Sequence, residues 1–267
     1  MPRLKTKTNE LLVASLAAIF FVIMASNYFG KEAAGLAYNV LNMSIIGPLM
    51  FFSVLQVFQN GYQSKIGKAW ICFSSFVVLW FVAEVIWLVY DAIYHAKPWP
   101  SEADYFWLAG YPIYFLFSAY YMRPFRTLVS KKIIFIASVV SVSVLIFTIY
   151  ISDLENADFS NQEAVLGLAY PVMDATSLFP ITIGLSLFLR GQVSFLWAML
   201  LIGMLCFVVS DTGFAVFTLD DSYYSGHPID TIYLWAYTFL LFGAYDQIHV
   251  FKKRNAENRF NEQETLR

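Results

Sequence analysis

The chain has 267 residues, of which 59% are hydrophobic, 19% aromatic and only 13% charged, with a mean hydropathy of +0.59. A water-soluble domain carries roughly 25% charged residues, so this composition excludes soluble, disordered, fibrous and nucleic-acid-binding chains and fits a protein solvated by lipid. The formal net charge of −2 says little by itself, because the two signs are sorted by position.

An apolar stretch of about 20 residues is long enough to cross a hydrocarbon core of about 30 Å as a helix. Eight such stretches are predicted in chain order, at about 11–29, 36–58, 69–90, 104–122, 133–151, 165–189, 194–217 and 230–250. The expected fold is therefore all-α, a polytopic membrane protein with eight transmembrane helices. With the N-terminus in the cytoplasm, fifteen Lys and Arg fall on the inner side, among them Arg3, Lys65, Arg123, Lys132, Arg190 and Lys252. Only Lys31 and Lys97 fall outside, where the loops are acidic instead, with Asp153, Glu155, Asp158, Glu163, Asp220 and Asp221. This positive-inside asymmetry predicts a multi-pass protein of the cell membrane with both termini cytoplasmic. The basic run from Lys252 to Arg254 is expected to anchor a cytoplasmic tail, 251–267, at anionic lipid.

The first stretch follows a basic segment, as a signal peptide would, but an internal duplication argues that it is retained. Residues 35–48 read GLAYNVLNMSIIGP and residues 167–180 read GLAYPVMDATSLFP, six identities in fourteen positions, with Asn42 opposite Asp174. The third and seventh helices align Trp70 with Trp197, Glu84 with Asp211, Trp87 with Phe214 and Tyr90 with Phe217. The fourth and eighth share an Asp followed seven residues later by Tyr, at Asp104 with Tyr111 and Asp230 with Tyr237. Three matches in order, at offsets of 126 to 132 residues, predict two four-helix repeats, about 11–122 and 133–250. An even helix count gives both repeats the same orientation, so their pseudo-twofold axis is expected along the membrane normal.

Ionisable groups inside a span are costly, so each one is a candidate site. Glu84 and Asp211 fall in the outer halves of their helices, as do Asn42 and Asp174, while Asp104 and Asp230 open theirs at the outer surface. Helical spacing puts Glu84, Trp87 and Asp91 on one face, Asp104 and Tyr111 on another, and pairs Tyr38 with Asn42 and Tyr170 with Asp174. Facing inward, these residues predict an outward-opening, acidic, aromatic-walled pocket on the axis, lined by Glu84, Asp211, Asp174, Asn42, Trp87, Tyr111, Tyr237, Asp104 and Asp230. Such acids can hold a proton, bind a cation or act as general acid or base. Each also has a plainer reading. Ser101-x-x-Asp104 is a capping-box pattern, Pro228 and Asp230 suit a first helical turn, and Glu84 and Asp211 can serve as hydrogen-bonded glue between helices.

Other chemistries lack their parts. No lysine lies in a helix core to carry retinal, no histidine at mid-membrane to ligate haem, and there is no GxSxG, HExxH, P-loop or CxxC motif. His95 and His227 fall in outer loops, no metal site is expected, and the two cysteines, Cys72 and Cys206, sit in apolar stretches with no disulfide implied. The sequence names no cofactor.

The run from Pro100 to Pro112, with Ala169 to Asp174 and with Asp230, Tyr233 and Trp235, resembles a class of polytopic membrane input domains found ahead of diguanylate cyclase and phosphodiesterase modules in bacteria. That resemblance implies a receptor for a small-molecule or lipid ligand. With no output module within the 267 residues, it implies a separate cytoplasmic or membrane partner protein, docking at 123–132 or after 250. Val209 to Phe217 and Asp230 to Tyr237 are similar to segments of the eight-helix lysoplasmalogenase family. That second likeness implies vinyl-ether hydrolysis, one of Glu84 and Asp211 protonating the ether and the other activating water. A cation- or proton-coupled carrier is the third expectation.

Overall fold

A computed structural model describes residues 2–96, 98–151, 162–189, 195–219 and 221–265. Lys97, Asp153, Glu155, Asp158, Arg190 and Asp220, which entered the charge pattern, lie outside the described residues. Among the described residues the structure is all-helical: α1 (Pro2–Tyr28), α2 (Lys31–Asn60), α3 (Lys65–Leu88), α4 (Ala103–Met122), α5 (Lys131–Ile151), α6 (Gln162–Leu189), α7 (Phe195–Leu219) and α8 (Asp230–Thr265). A single π-helical turn, Val89–Ile93, extends α3, and a 3₁₀ turn, Arg123–Leu128, follows α4. Backbone groups in lipid have no water to bond with, so an all-helical chain is the expected solution.

Six helices contain segments long and apolar enough to cross a membrane: Thr8–Tyr28, Lys31–Asn60, Gly67–Ile93, Lys131–Ile151, Gln162–Leu187 and Trp197–Thr218. The chain is thus a multi-pass helical membrane protein. The two helices outside that set, α4 and α8, carry Asp104 and Asp230 in their first turns and are rich in Tyr and Trp, whose polar edges lower their hydropathy. The segment after residue 250, expected as a separate tail, continues α8 as far as Thr265.

Helix α3 lies against α4 and α7 against α8, α2 against α3 and α6 against α7, α1 against α2 and α5 against α6, and α2 against α8 and α4 against α6, while α1 also lies against α8 with no comparable α4–α5 contact among the described residues. One face of α3 supplies the aromatic core, with Trp70, Phe73, Phe76 and Trp80 all buried against Tyr114 and Phe117 of α4. Trp80 meets Phe207 of α7 edge to face at 4.6 Å, and Trp197 of α7 stacks on Tyr121 of α4 at 4.5 Å. Outward faces of α1 and α5 expose Phe21, Phe135, Ile146 and Phe147, the surface that a lipid environment covers.

Connections gather at two ends. One end, here the first, carries the links around Gly30, 94–102 and 221–229; the other carries 61–64 and 123–130. At the first end the link before α8 docks on the α1–α2 junction. Asn27 Nδ2 donates to the Gly226 carbonyl at 2.8 Å, and Tyr224 donates its hydroxyl to Asn27 Oδ1. Gly226 has φ +83°, and a Cβ there would run into the Ala34 backbone, so both conformation and contact require glycine.

Candidate functional site

The sequence-predicted polar residues converge near the first end in two hydrogen-bonded groups. Glu84 of α3 is 1% exposed, and its two oxygens accept three donors. Asn42 Nδ2 of α2 donates to Oε2, while Tyr233 and Tyr237 of α8 donate to Oε1 at 2.9 and 2.6 Å. A carboxylate buried in a low-dielectric interior is tolerated when it is bonded in this way.

Asp211 of α7 and Asp174 of α6 flank Tyr111 of α4. The Tyr111 hydroxyl lies 2.7 Å from Asp211 Oδ2 and 2.9 Å from Asp174 Oδ1. A phenol has one proton to donate, so Tyr111 serves one carboxylate at a time and the group is one donor short. In this respect it differs from the group around Glu84, where the Asn42 amide is a further donor.

Asp104 and Asp230 serve their helix starts. Asp104 Oδ2 accepts from Ser101 N at 2.8 Å, the half of a capping box in which the acid reaches back, and its Oδ1 accepts from the Tyr170 hydroxyl at 2.7 Å. Asp230 Oδ2 accepts from Gly226 N at 2.8 Å, holding the docked link, with the Tyr223 hydroxyl 3.2 Å from Oδ1. Both acids are buried.

Above these groups a cavity of about 680 Å³ opens at the first end. Of the nine residues expected to line a pocket, Trp87 lines this one; Glu84, Asn42, Asp174, Asp211, Tyr111, Tyr237, Asp104 and Asp230 are absent from its lining. Its wall is built by Trp87, Trp99, Phe214 and Tyr223, with Asn39, Asp91 and Lys31 as polar members. Phe214 and Tyr223 meet edge to face at 4.5 Å, and Trp99 packs on Phe214 at 5.9 Å. Asn39 Nδ2 donates to Asp91 Oδ2 at 2.6 Å. On α2, Asn39 sits three residues, about 4.5 Å of helix rise, above Asn42, so the cavity floor lies within a turn of the Glu84 group.

Asp91 belongs to the π-helical turn, whose extra residue rotates it relative to Glu84. Nothing in Val89–Ile93 marks that turn in the sequence. Asn39 was missed, and Tyr233 was named only for the resemblance, although helical spacing places Asn39 on the Gly35 face of α2 and Tyr233 on the Tyr237 face of α8. Gln56, at the opposite end, is fully buried and donates from Nε2 to the Ala244 carbonyl at 2.9 Å, a polar tie between α2 and α8 that the sequence reading passed over. Glu102 lies outside the spans, where the Tyr90 hydroxyl donates to it at 2.8 Å and holds its carboxyl below the ordinary range.

Among the described residues no three His, Cys, Asp or Glu side chains converge as metal ligands, and both cysteines are free. Set against family models, curated proteins and solved structures, the chain matches none of them.

Proposed function

We propose that this is an eight-span membrane protein of two parallel four-helix repeats, with both termini cytoplasmic, that binds a small or amphipathic ligand in an outward-facing cavity. It works as a receptor-like membrane domain with a separate partner protein. The observation that carries the binding role is the half-open cavity of about 680 Å³, walled by aromatic rings and placed a turn above a buried acid network. Sites of this kind, concave and mainly apolar with a few fixed polar groups, are where proteins hold small ligands.

The repeat reading is supported by two crossed contacts. Glu84 of the first half accepts from Tyr237 of the second, and Asp211 of the second accepts from Tyr111 of the first, with all four residues at matched positions. The packing of α2 on α8 and of α6 on α4 follows the same exchange, whereas the α1–α8 contact has no counterpart. The resemblance to input domains agrees with a receptor role. We place binding ahead of ether hydrolysis because both oxygens of Glu84 are already engaged by donors.

Thermal unfolding of the full chain in lipid, screened against a library of soluble metabolites and lipid headgroups, tests this reading. A bound ligand raises the midpoint by mass action. Such shifts are expected for the wild type and should vanish in Gly35→Phe, which fills the cavity beside Asp91. Shifts that persist unchanged in Gly35→Phe would place binding elsewhere and remove the basis of the proposal.

A further inference from the structure

The chemistry of the cavity wall goes beyond the statement that something binds there. Asp91 is half-buried at the wall, and Asn39 engages only its Oδ2. Its other oxygen has no hydrogen bond, and no basic side chain among the described residues pairs with it. The described lining residues carry three carboxylates, Glu32, Asp91 and Asp221, to one lysine, Lys31. The formal charge of these described lining residues is therefore net negative.

Aromatic faces add a second attraction for positive charge. Trp87, Tyr223 and Phe214 form a continuous wall, with Trp87 6.2 Å from Phe214 and 6.4 Å from Tyr223. An ammonium already sits on the aromatic rim: Lys31 Nζ lies 4.6 Å from the ring centre of Tyr224. Carboxylate and ring faces together are what a desolvated organic cation needs, because the rings replace its water with their negative quadrupole. An anion would meet the Asp91 carboxylate, and a neutral apolar ligand would leave that carboxylate buried without a counter-ion.

We infer that the cavity takes an organic ammonium ion, with its nitrogen against Asp91 and its alkyl groups on the Trp87–Tyr223 wall. The inference rests on the binding role proposed above and names the ligand class. Lys31 at the mouth suits a ligand whose far end is anionic, as in a zwitterion, from a lipid headgroup or a free metabolite alike.

The test is a titration of the full chain in lipid nanodiscs, followed by tryptophan fluorescence. The probes are choline, its neutral isostere with a quaternary carbon in place of nitrogen, and the carboxylate of the same skeleton. Choline should bind about tenfold or more tightly than either. Asp91→Asn, which keeps the shape and the Asn39 contact, should erase that preference. Phosphatidylethanolamine nanodiscs weakening choline binding would identify a lipid headgroup as the source of the ammonium, and no such competition would identify a free one; each fits the class. Equal binding of choline and the neutral isostere, or an unchanged preference in Asp91→Asn, would overturn the ammonium class and leave the cavity's binding role standing. Should no choline binding occur while library ligands stabilise the wild type and not Gly35→Phe, the class again falls alone. Should neither occur, both fall together.

Discussion

At the scale of single residues, the two acid groups differ by one donor, and that difference is testable. Asn42 gives Glu84 an amide N–H, while Asp174 brings a second carboxyl to the Tyr111 hydroxyl. Asp174→Asn supplies the missing donor and should raise the thermal midpoint. Tyr237→Phe, which strips a donor from fully buried Glu84, should lower stability by about 1–3 kcal/mol in unfolding measurements in lipid. If the two variants shift the midpoint in the same direction, the donor argument is wrong. Glu102 behaves differently because it sits outside the spans. Tyr90 depresses its pKa below the ordinary value of 4.5, so the stabilisation is present above pH 4.5 and lost as pH falls through the lower folded value. Removing the donor with Tyr90→Phe should flatten that acid limb of the stability profile and leave neutral pH nearly unchanged. These polar positions were legible as a set in the sequence because an acid in an apolar helix stands out. Their partners were less so, since a tyrosine that donates to a buried acid looks in sequence like one of the many aromatic core residues.

At the scale of helices, close approach decides which substitutions are tolerated. Gly110 of α4 lies so near the Trp80 indole that a Cβ would collide with it, and Trp80 is itself held by its N–H bond to the Trp107 carbonyl at 3.0 Å. Gly110→Ala should therefore cost about 1–3 kcal/mol through overpacking. Gly47 of α2 has nothing within 4 Å of a hypothetical Cβ, so Gly47→Ala should be neutral or gain up to about 1 kcal/mol of helix propensity. Unfolding midpoints of the two variants check this, and the opposite order would contradict the α3–α4 contact. Apolar length made the helices legible, along with their starts at Asp104 and Asp230. The π-helical turn that contains Asp91 was not legible, because a register change of one residue in an apolar helix leaves no mark on composition. The expected pocket around Glu84 and Asp211 followed regular helical spacing. The cavity lies nearer the end of the bundle, and the acids below it are occupied by tyrosines.

For the whole molecule, orientation and cavity belong to one argument. The proposed orientation, drawn from the charge pattern, has the first end and the cavity mouth outside the cell. With Cys72 and Cys206 replaced by Ser, a single cysteine at exposed Tyr94 should react with an impermeant maleimide on intact cells, and one at exposed Ser130 only after permeabilisation. The reverse pattern would turn the cavity to the cytoplasm and exclude an extracellular signal. The proposed duplication rests on sequence matches that recur in the same order, while the pairing of Glu84 with Tyr237 and of Asp211 with Tyr111 required coordinates. The measurement that bears most directly on the account is an experimental density map of the protein in lipid. The expected map has Tyr237 on Glu84 and Tyr111 between Asp174 and Asp211, beneath an open cavity with ordered density between Asp91 and Trp87. A map in which side chains fill that cavity and the acids are parted from these tyrosines would contradict it.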